Sequence, residues 1–348
     1  MVRFDAGTTL AERMRAHAGE ATHLYGHLMR AMADDWEAGG PVREICRDWE
    51  DAPTGAVVQL RLLAGLFRIV LTGRAPQLEP FYPCLGGEAP PDSAWPVARP
   101  VLGAHRHELR DALAVAPQTN EAGRSTALLV GVFAAVRRSG LRRVRLLEPG
   151  ASAGLNLLVD QFLFVNAEWT FGPAHSPLAL HDAVVGDPQP IDFAIVDRRG
   201  CDLEPVDAST PEGQLRLRSF VWPFDVARHQ RLTAALQVAA EHPVTIDRER
   251  AARWLQQQLA EPPTEDVLTV IWQSITKLYW PPEEVQEVEK AIRAARHTRP
   301  VAHIAMEFPD STGRGGASLT VDLGEDGEIP VASVADHGIP VTLAPVAA

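Results

Sequence analysis

Apolar residues recur at helical spacing through roughly the first 140 positions of the chain. Leu10, Met14, His17, Ala21, Leu24, Leu28 and Met32 follow one another at steps of three or four, the stripe of one amphipathic helix, and Gly39-Gly40-Pro41 ends it. The same spacing predicts helices at 42–49, 57–71, 104–114 and 124–138. Between 73 and 100 the chain is rich in proline yet carries Phe81, Tyr82 and Trp95, so it reads as an ordered loop whose aromatics need burial.

After Gly140 the period changes. Residues 144–147 form a short apolar strand signal, a Gly-rich turn follows, and 155–164 is apolar in the manner of a buried helix start. Residues 165–190 show no clear period and read as an insertion. Strand signals at 191–196, 244–246, 267–273 and 301–308 then alternate with helix signals at 226–240, 249–259 and 282–295, and the last forty residues look like antiparallel strands. Such alternation implies a mostly parallel sheet covered on both faces, which tolerates a closing antiparallel hairpin. The expected organisation is a helical segment over 1–140 and an α/β domain over 141–348.

Charge narrows the partners. Acidic residues outnumber basic ones, 45 against 33, for a net charge of −12. That argues against nucleic acid and against an anionic membrane surface, both of which select clustered Lys and Arg. No uninterrupted apolar run reaches the ~18 residues of a membrane helix. The opening MVRFDAGTTLAERM lacks a signal core. Cys46, Cys84 and Cys201 are odd in number and far apart, as expected of reduced thiols in a cytoplasmic protein.

The most informative stretch is LLEPGASAGLN (146–156): a strand ends in Glu148, small residues follow at Gly150, Ser152 and Gly154, and Asn156 lies where a helix should begin. Small side chains let a ligand approach the backbone, and a helix start offers N–H groups. The pattern resembles the first motif of class I methyltransferases, with Ser152 in place of the middle glycine. The same letters spell the G-x-S-x-G elbow of α/β-hydrolases, with Ser152 as nucleophile and Asp310 and His337 downstream. The elbow normally follows several strands, whereas here the turn follows the first, which favours a cofactor turn. A tight turn without a ligand is the plain alternative.

Further acids fit the cofactor reading. A carboxylate at the end of the next strand can accept both ribose hydroxyls; Asp202 is the candidate, with Asp207 as substitute and an exposed turn acid as the bland reading. Asp247 suits either the adenine amino group or a helix cap. Gln273, Ser274, Thr276 and Tyr279 follow the fourth strand and would border the crevice. Thr276, Tyr279 and Glu307 are the candidate catalytic groups, because they stand at or after strand ends. Trp272 and Trp280 read as core or pocket wall. His23 with His27, and His105 with His107, lack a third ligand at metal spacing, so no metal is expected. The acids of 281–290 read as a solvated helix face.

QTNEAGRS (118–125), LLEPGASAGLNLLVDQF (146–162), RRGCDLEPVD (198–207), FVWPFDVARHQRL (220–232) and WQSITKLYWP (272–281) together resemble a bacterial domain-of-unknown-function family, number 2332, over nearly the whole chain. That family is regarded as similar to class I methyltransferases. The resemblance implies a Rossmann-like, mostly parallel seven-stranded sheet with an N-terminal all-helical cap domain, and S-adenosylmethionine as cofactor. In the QTNEAGR motif, assigned here to the helical half, Asn120, Glu121 and Arg124 suit either a lid whose Arg124 pairs with the cofactor carboxylate, or a capping network tying Arg124 to Glu121. The expected activity is methyl transfer to O or N of a small molecule. The alternatives are aminocarboxypropyl transfer or cyclisation of the nicotianamine-synthase type, Ser152 esterase chemistry, and a non-catalytic protein that keeps the cofactor fold.

Overall fold

The computed structural model describes residues 8–118, 120–309, 316–324, 327–335 and 337–344. The chain forms two compact units, one of residues 1–119 with 211–230 and one of 120–210 with 231–348. The division falls before Asn120 rather than near Gly140, and a segment of the second half returns to the first unit.

The first unit is helical. The stripe expected as one helix is two, α1 (Leu10–Ala18) and α2 (Leu24–Glu37). Gly19 stops the first at φ +48°, and His23 starts the second by accepting from Gly26 N–H at Nδ1, 3.1 Å away. Then come α3 (Pro41–Cys46), α4 (Val58–Leu71), α5 (Trp95–Ala104) and α6 (Arg106–Ala112). Helix α5 takes up the end of the stretch 73–100 expected to be an ordered loop; its Pro96 sits in the first turn, where a missing N–H costs little. Residues Thr54–Leu71 are the one described segment long and apolar enough to cross a membrane; in the unit Leu62, Leu66, Phe67 and Val70 of α4 are core. The next helix, α7 (Ser125–Ser139), belongs to the second unit. The returning segment completes the first unit with α8 (Pro211–Ser219), which Glu212 ties to Arg68 of α4 at 2.5 Å, and with Phe224, stacked on His23 at 4.2 Å.

The second unit is built on β1 (Arg143–Pro149). The expected insertion forms a small sheet of β2 (Leu163–Val165), β3 (Thr170–Phe171) and β4 (Ala179–His181), followed by β5 (Val184–Val185). The main chain of elements continues as β6 (Ala194–Asp202), α9 (Val226–Glu241), β7 (Thr245–Arg248), α10 (Ala251–Ala260), β8 (Val267–Ser274), α11 (Pro282–Ala295), β9 (Val301–Glu307), β10 (Ala317–Asp322), β11 (Glu328–Val334) and β12 (Val341–Leu343). The large sheet has nine strands, not seven, in the order β5-β12-β11-β10-β9-β8-β1-β6-β7. Strands β7, β6, β1, β8 and β9 pair in parallel, and β9 to β12 continue as an antiparallel meander. Two strands more than expected come from the meander and from β5 at the edge.

The winding direction of the parallel block reverses between β1 and β8, the place where open α/β sheets leave a crevice at the carboxyl ends of the strands. The block is covered on both faces. Trp254 and Leu255 of α10 and Val288 and Ile292 of α11 pack with Leu147, Ile271 and Val301. On the opposite face Gly131 of α7 brings the helix so close that a Cβ there would stand 2.4 Å from Ile304. Residues 267–273 of β8 are buried without a break, as a strand covered on both sides requires.

Candidate functional site

The turn after β1 holds three residues at positive φ: Gly150 at +80°, Ser152 at +55° and Gly154 at +74°. Most of its backbone donors are used by the chain itself. Gly150 N–H and Ala151 N–H both donate to the Cys201 carbonyl, at 2.8 and 2.9 Å, and Gly154 N–H donates to Ala151 O at 2.7 Å. Ser152 N–H donates to Asp202 Oδ2 at 2.9 Å, and Leu155 N–H to Asn120 Oδ1 at 2.8 Å. Five of the amides that the sequence offers to a ligand are therefore taken, and residues Leu155–Gln161 form a 3₁₀ turn rather than an α-helix. The glycines make room for side chains. A Cβ on Gly150 would meet Thr276 Cγ2 at 2.8 Å, and one on Gly154 would meet Val244 Cγ2 at 2.6 Å and Ile246 Cδ1 at 2.7 Å.

What the turn leaves open is a set of side-chain atoms. Among the described residues Glu148 Oε2, Ser152 Oγ, Asn156 Oδ1 and Trp272 Nε1 are buried with no partner at full hydrogen-bond geometry, although the Asn156 and Trp272 side chains both lie close enough to act on the Glu148 carboxyl. Buried polar atoms are nearly always paired, so four such atoms around one turn mark a place where something polar is expected to bind. Burial pushes the Glu148 carboxyl up to about 8, against smaller opposing pulls from the Asn156 side chain and the Arg124 charge. At neutral pH the group is then largely protonated and can donate as well as accept.

Asp202 lies beside the turn, as its strand position requires: Glu148 pairs with Gly200 across β1 and β6, two residues before it. Its second oxygen, Oδ1, accepts from Glu204 N–H at 2.9 Å. Asp207 binds Ser209 locally, at N–H and Oγ. Asp247 does not cap α10, whose N-cap is Arg250. It sits within β7, and its Oδ2 is held by Trp254 Nε1 at 2.7 Å and Arg199 at 3.1 Å. Helix α10 is instead reached from afar, by Glu284 Oε1 accepting from Ala252 N–H at 2.9 Å.

From Asn120 on, the QTNEAGR motif belongs to the sheet unit rather than the helical half. Asn120 reaches the Gly-rich turn, and Arg124 Nη1 lies 3.4 Å from both the carbonyl and Oγ of Ser274 at the end of β8. Glu121 accepts from Gly123 N–H and from Arg231, each at 3.0 Å.

At the ends of β8 and β9 a polar chain runs across the strands. His303 Nε2 lies 2.9 Å from Gln273 Oε1, and Gln273 Nε2 donates to Glu307 Oε1 at 3.1 Å. The same Glu307 oxygen accepts from Thr276 N–H and Oγ1, each at 2.9 Å, and from Lys277 N–H at 3.4 Å, while among the described residues Oε2 makes no hydrogen bond. Burial pushes His303 down to about 4, so its ring is neutral and its Nε2–H faces the amide oxygen. Tyr279, grouped with Thr276 in the sequence reading, is exposed. His303 was missed there; the available signal was the period of two along β9, which puts 303 and 307 on one face.

The family model described as "Uncharacterized protein conserved in bacteria (DUF2332)" matches residues 8–342. The chain belongs to this family. No curated protein and no solved structure matches it. In this DUF2332 chain the motif residues from four separate segments, Asn120 and Arg124, Glu148 to Asn156, Asp202, and Gln273 to Thr276, meet at one end of the parallel block. For the hydrolase reading, Ser152 has the positive φ of an elbow, but among the described residues no base contacts its Oγ; His337 is exposed, and Asp310 lies outside the described residues. Among the described residues no three His, Cys, Asp or Glu side chains form a metal set.

Proposed function

We propose that the second unit binds S-adenosylmethionine at the carboxyl ends of β1, β6 and β8 and directs methyl transfer to an oxygen or nitrogen of a small molecule, within a methyltransferase-like fold. The observation that carries this reading is the cluster of unpartnered buried atoms, Glu148 Oε2, Ser152 Oγ, Asn156 Oδ1 and Trp272 Nε1, beside the reversal of winding. Asp202 would take the ribose hydroxyls, and Arg124 suits the cofactor carboxylate. The bound cofactor supplies an electrophilic methyl group on a sulfonium. The chain's part is alignment and proton removal. Glu307 is held through Oε1, leaving Oε2 to take the acceptor's proton, and Thr276 and Gln273 fix its orientation. A net charge of −12 disfavours a polyanionic acceptor.

Calorimetric titration with S-adenosylmethionine and S-adenosylhomocysteine tests the reading. Saturable binding, weakened by Arg124→Ala with an unchanged melting temperature, is expected. Absence of binding by both compounds at millimolar concentration overturns it. In turnover assays S-adenosylhomocysteine is the expected product, and methylthioadenosine would move the reading to aminocarboxypropyl transfer.

A further inference from the structure

The residue assigned to the cofactor carboxylate, Arg124, ends a 3₁₀ turn, Ala122–Arg124, that leads directly into α7. Within the second unit this turn is held from two sides. On one side Glu121 Oε1 accepts from Gly123 N–H and from Arg231 Nε, each at 3.0 Å. On the other side lies the turn that joins β11 to β12, and there main chain meets main chain. A Cβ on Gly338 would stand 2.3 Å from Arg124 N and 2.5 Å from Arg124 Cα. A Cβ on Gly123 would stand 2.7 Å from the His337 carbonyl oxygen. Each turn thus presents a glycine to the backbone of the other. Backbone atoms cannot swing aside as the end of a long side chain can, so neither approach admits a β-carbon without a shift of one turn against the other.

Ordinary causes explain only one of the two glycines. Gly338 has φ +87°, so its turn favours glycine on backbone grounds alone. Gly123 is not among the residues at positive φ, and the space is what its missing side chain serves. The β11–β12 turn is itself fixed. Gly338 N–H donates to Ala335 O at 2.8 Å, Ala335 N–H donates to Pro340 O at 3.1 Å, and Val334 pairs with Val341 across the two strands. The contact is made by main-chain atoms of residues 337 and 338; Asp336 lies outside the described residues.

What this contact sets is the starting point of the Arg124 side chain, whose Nη1 lies 3.4 Å from the carbonyl and Oγ of Ser274. A guanidinium fork needs a narrow geometry to grip a carboxylate, so a displaced backbone at its root loses the grip. We propose that Gly123 and Gly338 are positioning residues: the β11–β12 turn seats Arg124 so that the site selects ligands carrying the amino-acid arm over ligands that end at the adenosyl sulfur. This rests on the S-adenosylmethionine reading above, and it gives the antiparallel end of the sheet a part in the site.

The test is calorimetric titration of the full chain with S-adenosylhomocysteine, which carries the arm, and with methylthioadenosine, which keeps the adenosine and the sulfur without it. Gly123→Ala crowds the contact without asking for an unusual backbone angle, and Gly338→Ala crowds it from the other side. Each is expected to weaken S-adenosylhomocysteine by at least about fivefold and methylthioadenosine by less than about twofold, as the loss of one charge-assisted contact requires. In an Arg124→Ala background Gly123→Ala should cost no further affinity. Melting temperature and the methylthioadenosine titration show that a variant keeps its fold and its crevice; should Gly338→Ala not fold, Gly123→Ala decides. Unchanged binding of S-adenosylhomocysteine by Gly123→Ala overturns the proposal. So does an equal loss of both ligands, or a loss that persists without Arg124. Wild-type protein that binds neither compound overturns the cofactor reading and this proposal together, whereas the other outcomes leave that reading standing.

Discussion

Asp202 Oδ2 accepts a hydrogen bond from the backbone N–H of Ser152 at 2.9 Å, so the acid that ends β6 fixes the turn that ends β1. Its other oxygen holds Glu204 N–H at the same distance. One side chain thus secures two backbone donors on two loops. Replacing it by alanine leaves both without a charged acceptor. Asp202→Ala is expected to lower unfolding free energy by about 2 kcal/mol in urea titration. A loss below about 0.5 kcal/mol would show that the turn holds its shape without this acid.

Glu148 gives the fold a pH dependence of its own. Its folded value, near 8, stands above the ordinary carboxyl value of the unfolded chain, about 4.3. The folded state therefore keeps a proton that the unfolded state releases between those values. The stability this group contributes is complete below the lower value and is lost as pH rises through the upper one. Glu148→Gln, neutral at every pH, should gain on the wild type by up to about 1.4 kcal/mol per pH unit across that window. Urea unfolding at pH 5, 6.5 and 8 measures it, and a difference that is flat with pH contradicts the buried neutral acid.

His303 runs the other way. Burial lowers its folded value to about 4, below the unfolded value near 6.5. Its contribution is present above the unfolded value and is lost as pH falls toward the folded one. Nitrogen NMR should find the ring neutral at about pH 5, protonated on Nε2 where it meets Gln273 Oε1. Gln273→Leu removes that acceptor and one donor to Glu307, and should cost about 2 kcal/mol.

Which features were legible in the sequence follows from the range of the forces behind them. Helix Pro282–Ala295 was read to the residue, because Pro at its start and an apolar stripe are local signals. The Gly-rich turn is legible for the same reason, whereas the strand expected at 191–196 runs from Ala194 to Asp202, its first half being largely exposed and its middle polar. Helix α8 was not legible: its buried residues are only Gly213, Leu217 and Ser219, too few for a stripe. The reading of 281–290 as a solvated face failed at Glu284, which is 7% exposed because it caps α10 and pairs with Arg250 at 2.7 Å. The chain from His303 through Gln273 to Glu307 depends on the register between β8 and β9, where Gln273 pairs with Ala305 and so stands between 303 and 307. Only the assembled sheet fixes that register.

The packing of Gly150 against Thr276 yields a coupled prediction. At φ +80° a Cβ is strained, and it would also meet Thr276 Cγ2 at 2.8 Å. Backbone strain of about 1 kcal/mol and an overpacking cost of about 1–3 kcal/mol are expected together in Gly150→Ala. Thr276→Ser removes the offending methyl and keeps the hydroxyl that donates to Glu307 Oε1. The double variant should therefore recover the packing share and leave the backbone share, a coupling of about 1 kcal/mol or more between the two sites in a double-mutant cycle. Additive losses would mean that Gly150 is required for its backbone angle alone, and that the close approach of Thr276 to the turn is not what selects glycine there.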